Sequence, residues 1–225
     1  MRALRRVLFV VGVREVNLVN VARTKSGDFS CFQSAAPDFV RATYADFTVA
    51  PYRFAPGEFR IKHVSESWER RACAELRRAV FCDEQQIFEH DDADALDACA
   101  LPIAAIACLI GQPDDVVGTV RICETEPGTW WGSRLAVRPD YRRSAWLGGE
   151  LIHHAVCTAH ARGAKHFYAQ VQVQNVKLFE RLHWTTLDAV IVQGRPHVLM
   201  QADLAHYPAR AQDDVGFFSG LRAAA

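Results

Sequence analysis

From Phe59 to Val64 apolar and polar residues alternate (Phe-Arg-Ile-Lys-His-Val), and a period of two predicts a strand. Next, Ala72, Cys73, Leu76, Ala79 and Val80 fall on one helical face, with Ser67 as the candidate cap and Arg70 where a capping box wants a glutamate. Three short apolar runs follow and predict strands. Ile103–Ile110 is closed by Gly111-Gln112-Pro113-Asp114, Val116–Cys123 by Pro127-Gly128, and Trp130–Val137 by Pro139. Leu147–Arg162 has helical spacing and ends at Gly163, a suitable C′ residue. Lys165–Val173 alternates again, with Phe167, Ala169, Val171 and Val173 on one face and His166, Tyr168, Gln170 and Gln172 on the other. A short helix over Val176–Leu182 and two strands, Asp188–Gln193 and His197–Leu204, complete the pattern. Strands and helices mixed in this way predict an α/β (α+β) chain.

The pattern is confined to the middle of the chain. Residues 1–57 carry eight Lys or Arg against four acids and little periodic apolar surface, so they read as a partly disordered N-terminal extension. The run Val7–Val13 is short, ends at Arg14-Glu15 and has no A-x-A site after it, which argues against a signal peptide. Residues 58–205 form the predicted domain, and residues 206–225, ending in alanines, read as a loose tail.

Composition narrows the function. Half of the 225 residues are hydrophobic and the formal net charge is zero, so no basic footprint for nucleic acid exists and no window approaches a membrane span. Seven cysteines lie without CxxC spacing, several inside apolar runs, and read as reduced thiols of a cytoplasmic protein. His153 and His160 share a helical face seven residues apart, too far for chelation without other ligands, so no metal site is predicted. The acids at 89, 91, 92, 94 and 97, with no Lys or Arg among them, read as a solvated segment.

Candidate chemistry centres on Arg134–Ile152, RLAVRPDYRRSAWLGGELI. A short strand, a basic turn and a helix start with a glycine pair aim backbone N–H groups and a positive dipole end at one point, as phosphate sites do. This stretch resembles motif A of the GNAT superfamily of acetyl-CoA-dependent N-acetyltransferases. Arg143-Ser144-Ala145-Trp146-Leu147-Gly148 fits its Arg/Gln-x-x-Gly-x-Gly/Ala pattern, with Trp146 in the first glycine slot, where it would narrow the loop. Further segments resemble one branch of the superfamily: Val80-Phe81-Cys82-Asp83-Glu84-Gln85, Gly118-Thr119-Val120-Arg121, Arg134 before the fourth strand's apolar run, and Pro196-His197-Val198-Leu199-Met200. Leu178-Phe179-Glu180-Arg181-Leu182-His183-Trp184 fits in part. The group this chain most resembles is a bacterial GNAT subfamily associated with nitrogen starvation and nitrilase gene clusters.

The resemblance implies a GNAT fold: a mixed central sheet of about seven strands flanked by about four helices, two of them in succession after the first strand. It implies acetyl-CoA or another acyl-CoA as co-substrate, held by Leu135, Ala136 and Val137 through its pantetheine. Arg142, Arg143 and the N–H groups of Ser144, Ala145, Trp146, Leu147, Gly148 and Gly149 would take the pyrophosphate, and Asn175 and Phe179 would line the cofactor. Phe179 occupies the slot of the family's tyrosine proton donor. A thiol titrates near 8.5 and an alkylamine near 10.4, so deprotonating the amine matters more than protonating the thiolate. Glu84 is the first candidate base and His197 the second. The competing readings make Glu84 an anchor for Arg121 or Arg134, and His197 a core histidine satisfied by backbone. Arg121 and Arg134 are candidate ligands for a substrate carboxylate.

The expected reaction is acyl transfer to the primary amine of a small metabolite, with a homodimer as the expected self-association and neither nucleic acid nor membrane as a partner. Two other readings share the architecture: an acyl-CoA-binding module without turnover, which Phe179 and Trp146 favour, and an acyl-carrier-protein-dependent synthase of the autoinducer type, which would need a basic docking face.

Overall fold

The computed structural model describes residues 58–142, 146–210 and 214–218. Its strands are β1 (Glu58–His63), β2 (Leu101–Leu109), β3 (Gln112–Glu126), β4 (Thr129–Val137), β5 (His166–Gln172), β6 (Trp184–Val192), β7 (Arg195–Ala202) and β8 (Asp214–Phe218). The α-helices among the described residues are α1 (Ser67–Arg78), α2 (Trp146–Ala161) and α3 (Val176–Arg181). All eight strands form one sheet in the order β6-β7-β5-β4-β3-β2-β1-β8. Only the central pair, β4 with β5, is parallel; the others are antiparallel. This is the GNAT fold.

The sheet is buried on both faces. On one side α2 and α3 pack Leu147, Leu151, Ile152 and Phe179 against Ile103, Val120, Leu135 and Phe167. On the other side Cys73 and Leu76 of α1, with Val80 and Phe81 beyond it, cover Ala104, Ile106, Val116 and Ala136. The glycine of the Gly118-Thr119-Val120-Arg121 segment has a packing reason. A Cβ there would come within 2.8 Å of Leu151 Cδ1 and 3.3 Å of Ala105 Cβ, so Gly118 lets α2 settle on β3.

Several expectations are corrected. The cap of α1 lies one residue earlier than Ser67. Glu66 is the N-cap, and Glu69, not position 70, reaches back to the N–H groups of Ser65 (2.9 Å) and Glu66 (3.1 Å). The buried Glu69 also meets Lys62 Nζ at 2.6 Å. In place of a second successive helix, α1 runs into a π-helical turn, Ala79–Glu84, and a long segment with a 3₁₀ turn at Ala95–Ala98. The π turn is closed by Gln85 N–H on the Val80 carbonyl (3.0 Å). It contains most of the Val80–Gln85 motif, which is therefore an irregular turn aimed at the site, a common use of such turns. Strand β6 begins at Trp184, four residues before the expected Asp188, because Trp184 is buried against Phe179 and Phe167. The tail expected to be loose returns to the sheet as β8, antiparallel to β1 with Glu58 opposite Phe218. Residues 1–57, with their expected extension, lie outside the described residues.

Candidate active site

The site starts from a break in the sheet. Strands β4 and β5 pair only through Thr129 with His166, Trp130 with Phe167 and Trp131 with Tyr168. Beyond that point β4 bulges. Arg121 faces Ser133 and Thr119 faces Ala136, so β4 carries one residue more than β3 between the two pairs. Arg134, in the bulge, has φ 55°, a conformation that a side chain with a Cβ rarely adopts. The bulge turns the end of β4 away from β5. Leu135, Ala136 and Val137, buried beyond the divergence, therefore have no β5 partner along that edge.

Helix α2 follows β4 through the 3₁₀ turn Pro139–Tyr141 and packs mainly on β3 and β4. Trp146, expected to narrow the phosphate turn, instead stacks edge-on against Phe59 of β1 (ring centroids 5.2 Å apart) and joins the core on the α2 side. Gly148 lies one turn into the helix. It is buried, yet a Cβ built on it meets nothing within 4 Å, whereas a Cβ on Gly149 would touch Leu182 at 3.8 Å. Among the described residues nothing fills the space next to Gly148. Leu147 faces the core. Arg143, Ser144 and Ala145 lie outside the described residues.

Arg142, expected to face phosphate, is turned elsewhere. Its Nη1 and Nη2 donate to the two carboxylate oxygens of Glu84, each at 2.6 Å, and its Nε donates to the Val137 carbonyl at 2.7 Å. The bidentate pair joins the π turn to the end of β4. Of the two roles weighed for Glu84, this geometry matches the anchor, with Arg142 as the partner in place of Arg121 or Arg134.

A polar floor lies beside the wedge. Gln172 of β5 donates to Gln85 Oε1 at 3.1 Å and accepts from Gln174. Arg195, the first residue of β7, donates to the Gln85 carbonyl at 2.7 Å, which ties the start of that strand to the segment after α1. His197 is 2% exposed and lies opposite Gln172. Its Nδ1–H donates to the Arg195 carbonyl (3.0 Å), so the lone pair sits on Nε2, which has no hydrogen-bond partner. Burial, helped by the Arg195 charge, holds the imidazole pKa below its ordinary value of 6.5 against the opposing effect of the carbonyl. The histidine is therefore neutral at pH 7 and satisfied by backbone on one nitrogen only. Asn175 is buried at the start of α3. Phe179 is wholly buried, edge-on to Trp184 with centroids 5.0 Å apart, and provides no proton.

Of the acidic segment, Glu89 and Asp91 are exposed as expected, whereas Asp92, Asp94 and Asp97 are held by arginines. Arg134 bonds Asp92 through Nε to the carboxylate (2.8 Å) and through Nη2 to the backbone carbonyl (2.7 Å), and meets Asp94 at 3.0 Å. Arg121 holds Asp94 with two bonds of 2.8 and 2.9 Å and Ser133 Oγ at 3.0 Å. Arg77 of α1 bonds Asp92 and Asp97, each at 2.7 Å. Phe88 stacks on Arg134 at 4.9 Å. The two arginines expected to meet a substrate carboxylate are thus fully buried partners of this chain's own aspartates. Nothing in the spacing of Asp92, Asp94 and Asp97 announces the clamp, because its cations lie on three other elements. Gln85, Gln170 and Gln172 were also missed as site residues; amides repeated at every second position of β5 are the one signal for Gln170 and Gln172, and Gln85 has none beyond its place in the Val80–Gln85 segment.

Among the described residues no cluster of three or more His, Cys, Asp or Glu is arranged to hold a metal, and no helix is long and apolar enough to cross a membrane. The described cysteines are free thiols.

A mixed sheet that splits between its two parallel strands, followed by a helix, is the arrangement of the GNAT fold. The chain belongs to the acetyltransferase (GNAT) family, whose profile matches residues 69–184. Three solved structures share the fold. Escherichia coli ElaA is 20% identical, with a TM-score of 0.54, over 64% of this chain and 98% of its own. An acyl-CoA N-acyltransferase from Pseudomonas aeruginosa is 20% identical, with a TM-score of 0.53, over 64% and 99%. FeeM, an N-acyl amino acid synthase from uncultured soil microbes, is 13% identical, with a TM-score of 0.53, over 67% and 93%. No curated protein matches the chain.

Proposed function

We propose that the protein transfers an acyl group, acetyl in the first instance, from acyl-CoA to the primary amine of a small metabolite by direct attack on the thioester. The observation that carries this reading is the wedge: β4 loses β5 as a partner after Trp131 while its buried end, Leu135–Val137, continues. An extended pantetheine chain bonds such an edge as an added strand. The space at Gly148, near the α2 start and filled by none of the described residues, suits a phosphate group. The thioester supplies an activated carbonyl carbon and a weakly basic thiolate leaving group.

The remaining work falls to side chains. His197 Nε2 takes the amine proton as the N–C bond forms, and the C–S bond breaks with the thiolate leaving unprotonated past Phe179. Glu84 keeps Arg142 on the Val137 carbonyl and so holds the shape of the β4 end; with both oxygens bonded, it is the poorer base. The motif set at Val80–Gln85, Gly118–Arg121 and Pro196–Met200 supports membership of the nitrogen-starvation and nitrilase-cluster group, and the free thiols support a cytoplasmic location.

The test is release of free CoA from acetyl-CoA with a panel of amines, together with calorimetric titration of acetyl-CoA. Binding with amine-dependent release supports the proposal. Binding without release for any amine favours the acyl-CoA-binding module, and no binding refutes both.

A further inference from the structure

Buried polar atoms in folded proteins have partners, and each exception asks for an explanation. Two exceptions fall together beside the wedge: Gln170 Oε1 and His197 Nε2, both buried and both without a hydrogen-bond partner among the described residues. Across β5 and β7, Gln172 is opposite His197 and Gln170 opposite Leu199, so Gln170 and His197 are diagonal neighbours on one sheet face. The residue between them, Gln172, is already engaged with Gln85 and Gln174. Both orphans are acceptors. Two acceptors without a donor, in a place closed to bulk water, suit a group that brings two N–H bonds.

Resting on the acyl-transfer reading above, we propose that His197 Nε2 and Gln170 Oε1 form the acceptor subsite, each taking one N–H of an uncharged, weakly basic primary amine. The absence of a counter-charge sets the preference for an uncharged amine. On this face the paired residues of β5 and β7 are Tyr168, Gln170, Gln172, His197, Leu199 and Gln201, with no carboxylate among them. Asp188, opposite Leu199 on β6, is exposed and accepts from its neighbour's N–H (Ala189, 2.8 Å), Glu84 is held by Arg142, and the nearby Arg195 is itself a cation. An ammonium would lose its hydration here without a partner charge. An alkylamine is neutral in about one molecule in 10³ at pH 7, and an α-amine in about one in ten. The site therefore selects α-amines, such as those of amino acid amides, over alkylamines. In the reaction one N–H stays on Gln170 while the other proton passes to His197 Nε2 as the N–C bond forms and the C–S bond breaks.

The experiment uses the full chain, acetyl-CoA, and alaninamide and butylamine as probes. Alaninamide is expected to exceed butylamine in kcat/KM at pH 7 by about 10²-fold, the ratio of their neutral fractions. Gln170→Met, which keeps the shape but removes the acceptor, is expected to raise the KM for alaninamide about tenfold, a loss of one hydrogen bond, with acetyl-CoA affinity unchanged. In ¹⁵N-labelled wild-type protein saturated with acetyl-CoA analogue, alaninamide is expected to shift the Nε2 resonance of His197 and leave Nδ1 in place. An unmoved Nε2 resonance, an unchanged KM in the variant, or a preference for butylamine overturns the subsite. The resonance arm needs no variant, so it decides the matter even if Gln170→Met fails to fold. If acetyl-CoA binds and turns over while His197 stays silent, the subsite alone is refuted. If wild-type protein does not bind acetyl-CoA, the acyl-transfer reading goes with it.

Discussion

Two buried polar clusters lie on the α1 side of this sheet, and they are built on opposite rules. In the clamp, Arg77, Arg121 and Arg134 meet Asp92, Asp94 and Asp97 through bonds of 2.7 to 3.1 Å, and each carboxylate takes at least two donors. In the floor, Gln170 and His197 keep an acceptor atom each without a donor. A satisfied buried network rigidifies and specifies a fold, and an unsatisfied one costs stability unless a ligand completes it. The clamp thus holds the strap 85–100 over β3 and β4 and fixes the bulge at Arg134 that opens the wedge. The floor is what the wedge opens onto. Charge alone would have pointed the other way, to the arginines as the substrate site.

The largest expected effect breaks the clamp. Asp92→Asn leaves Arg77 and Arg134 buried with a carboxylate missing, and breaking a buried pair costs about 3–5 kcal/mol. Urea unfolding should show this loss; a change below about 1 kcal/mol would mean that the clamp is replaceable. The pH dependence has a definite sign. Burial raises the carboxyl pKa values of Asp94 and Asp97, but the bonds from Arg121 and Arg77 outweigh it, so both lie below their ordinary value. Their stabilisation is complete above the unfolded pKa, about 3.9, and is lost as the pH falls through the lower folded values. These two carboxylates should accordingly make wild-type stability fall steeply below about pH 4, while the buried His197, held below 6.5, adds a loss that begins as the pH falls below its unfolded value of 6.5.

Next comes the cradle. The Cβ of Gly148→Glu meets no atom of the described residues, so the melting temperature should hold, while a carboxylate placed against phosphate should cost several kcal/mol of acyl-CoA affinity. Calorimetry that finds unchanged affinity would remove the phosphate from this place.

A smaller effect belongs to the floor. His197→Asn should lower turnover about 10²-fold and Glu84→Gln by less, since only His197 has a free lone pair. With the histidine pKa below 6.5, the base is already neutral at pH 7. Once corrected for amine ionisation, kcat/KM should rise with pH only below 6.5, and this limb should vanish in His197→Asn. Equal losses in the two variants would erase the distinction between rim and floor.

The smallest effect is expected at Phe179. Phe179→Tyr should change turnover by less than about tenfold, because the leaving thiol is already weakly basic. The wild-type rate should show no falling limb near pH 10; finding one would reveal an acid elsewhere.

Periodicity located most strands and α2 to within a few residues, because a half-buried element must repeat its apolar side chains at its own period. It missed the start of β6, where Thr185 and Thr186 are exposed, and β8, a short edge strand whose neighbours lie in polar sequence. The wedge-lining run Leu135–Val137 and the α2 start at Gly148 were legible for a local reason: strand, turn and helix follow each other within twenty residues. The partners of Arg121, Arg134 and Arg142 were not legible. Their carboxylate partners, Glu84, Asp92, Asp94 and Asp97, lie on segments distant in the chain, and only the folded sheet decides which carboxylate reaches which guanidinium.

The sequence by itself thus determined the family, the order of its elements and the residue types at the site, since local pattern and motif spacing are properties of neighbours along the chain. Tertiary structure alone decided what those residues do. It spent three arginines on a clamp, turned Trp146 into the core, gave Glu84 to Arg142, and left Gln170 and His197 without donors. Whether a buried polar atom has a partner depends on groups brought together from distant strands, and the chain order does not contain that information.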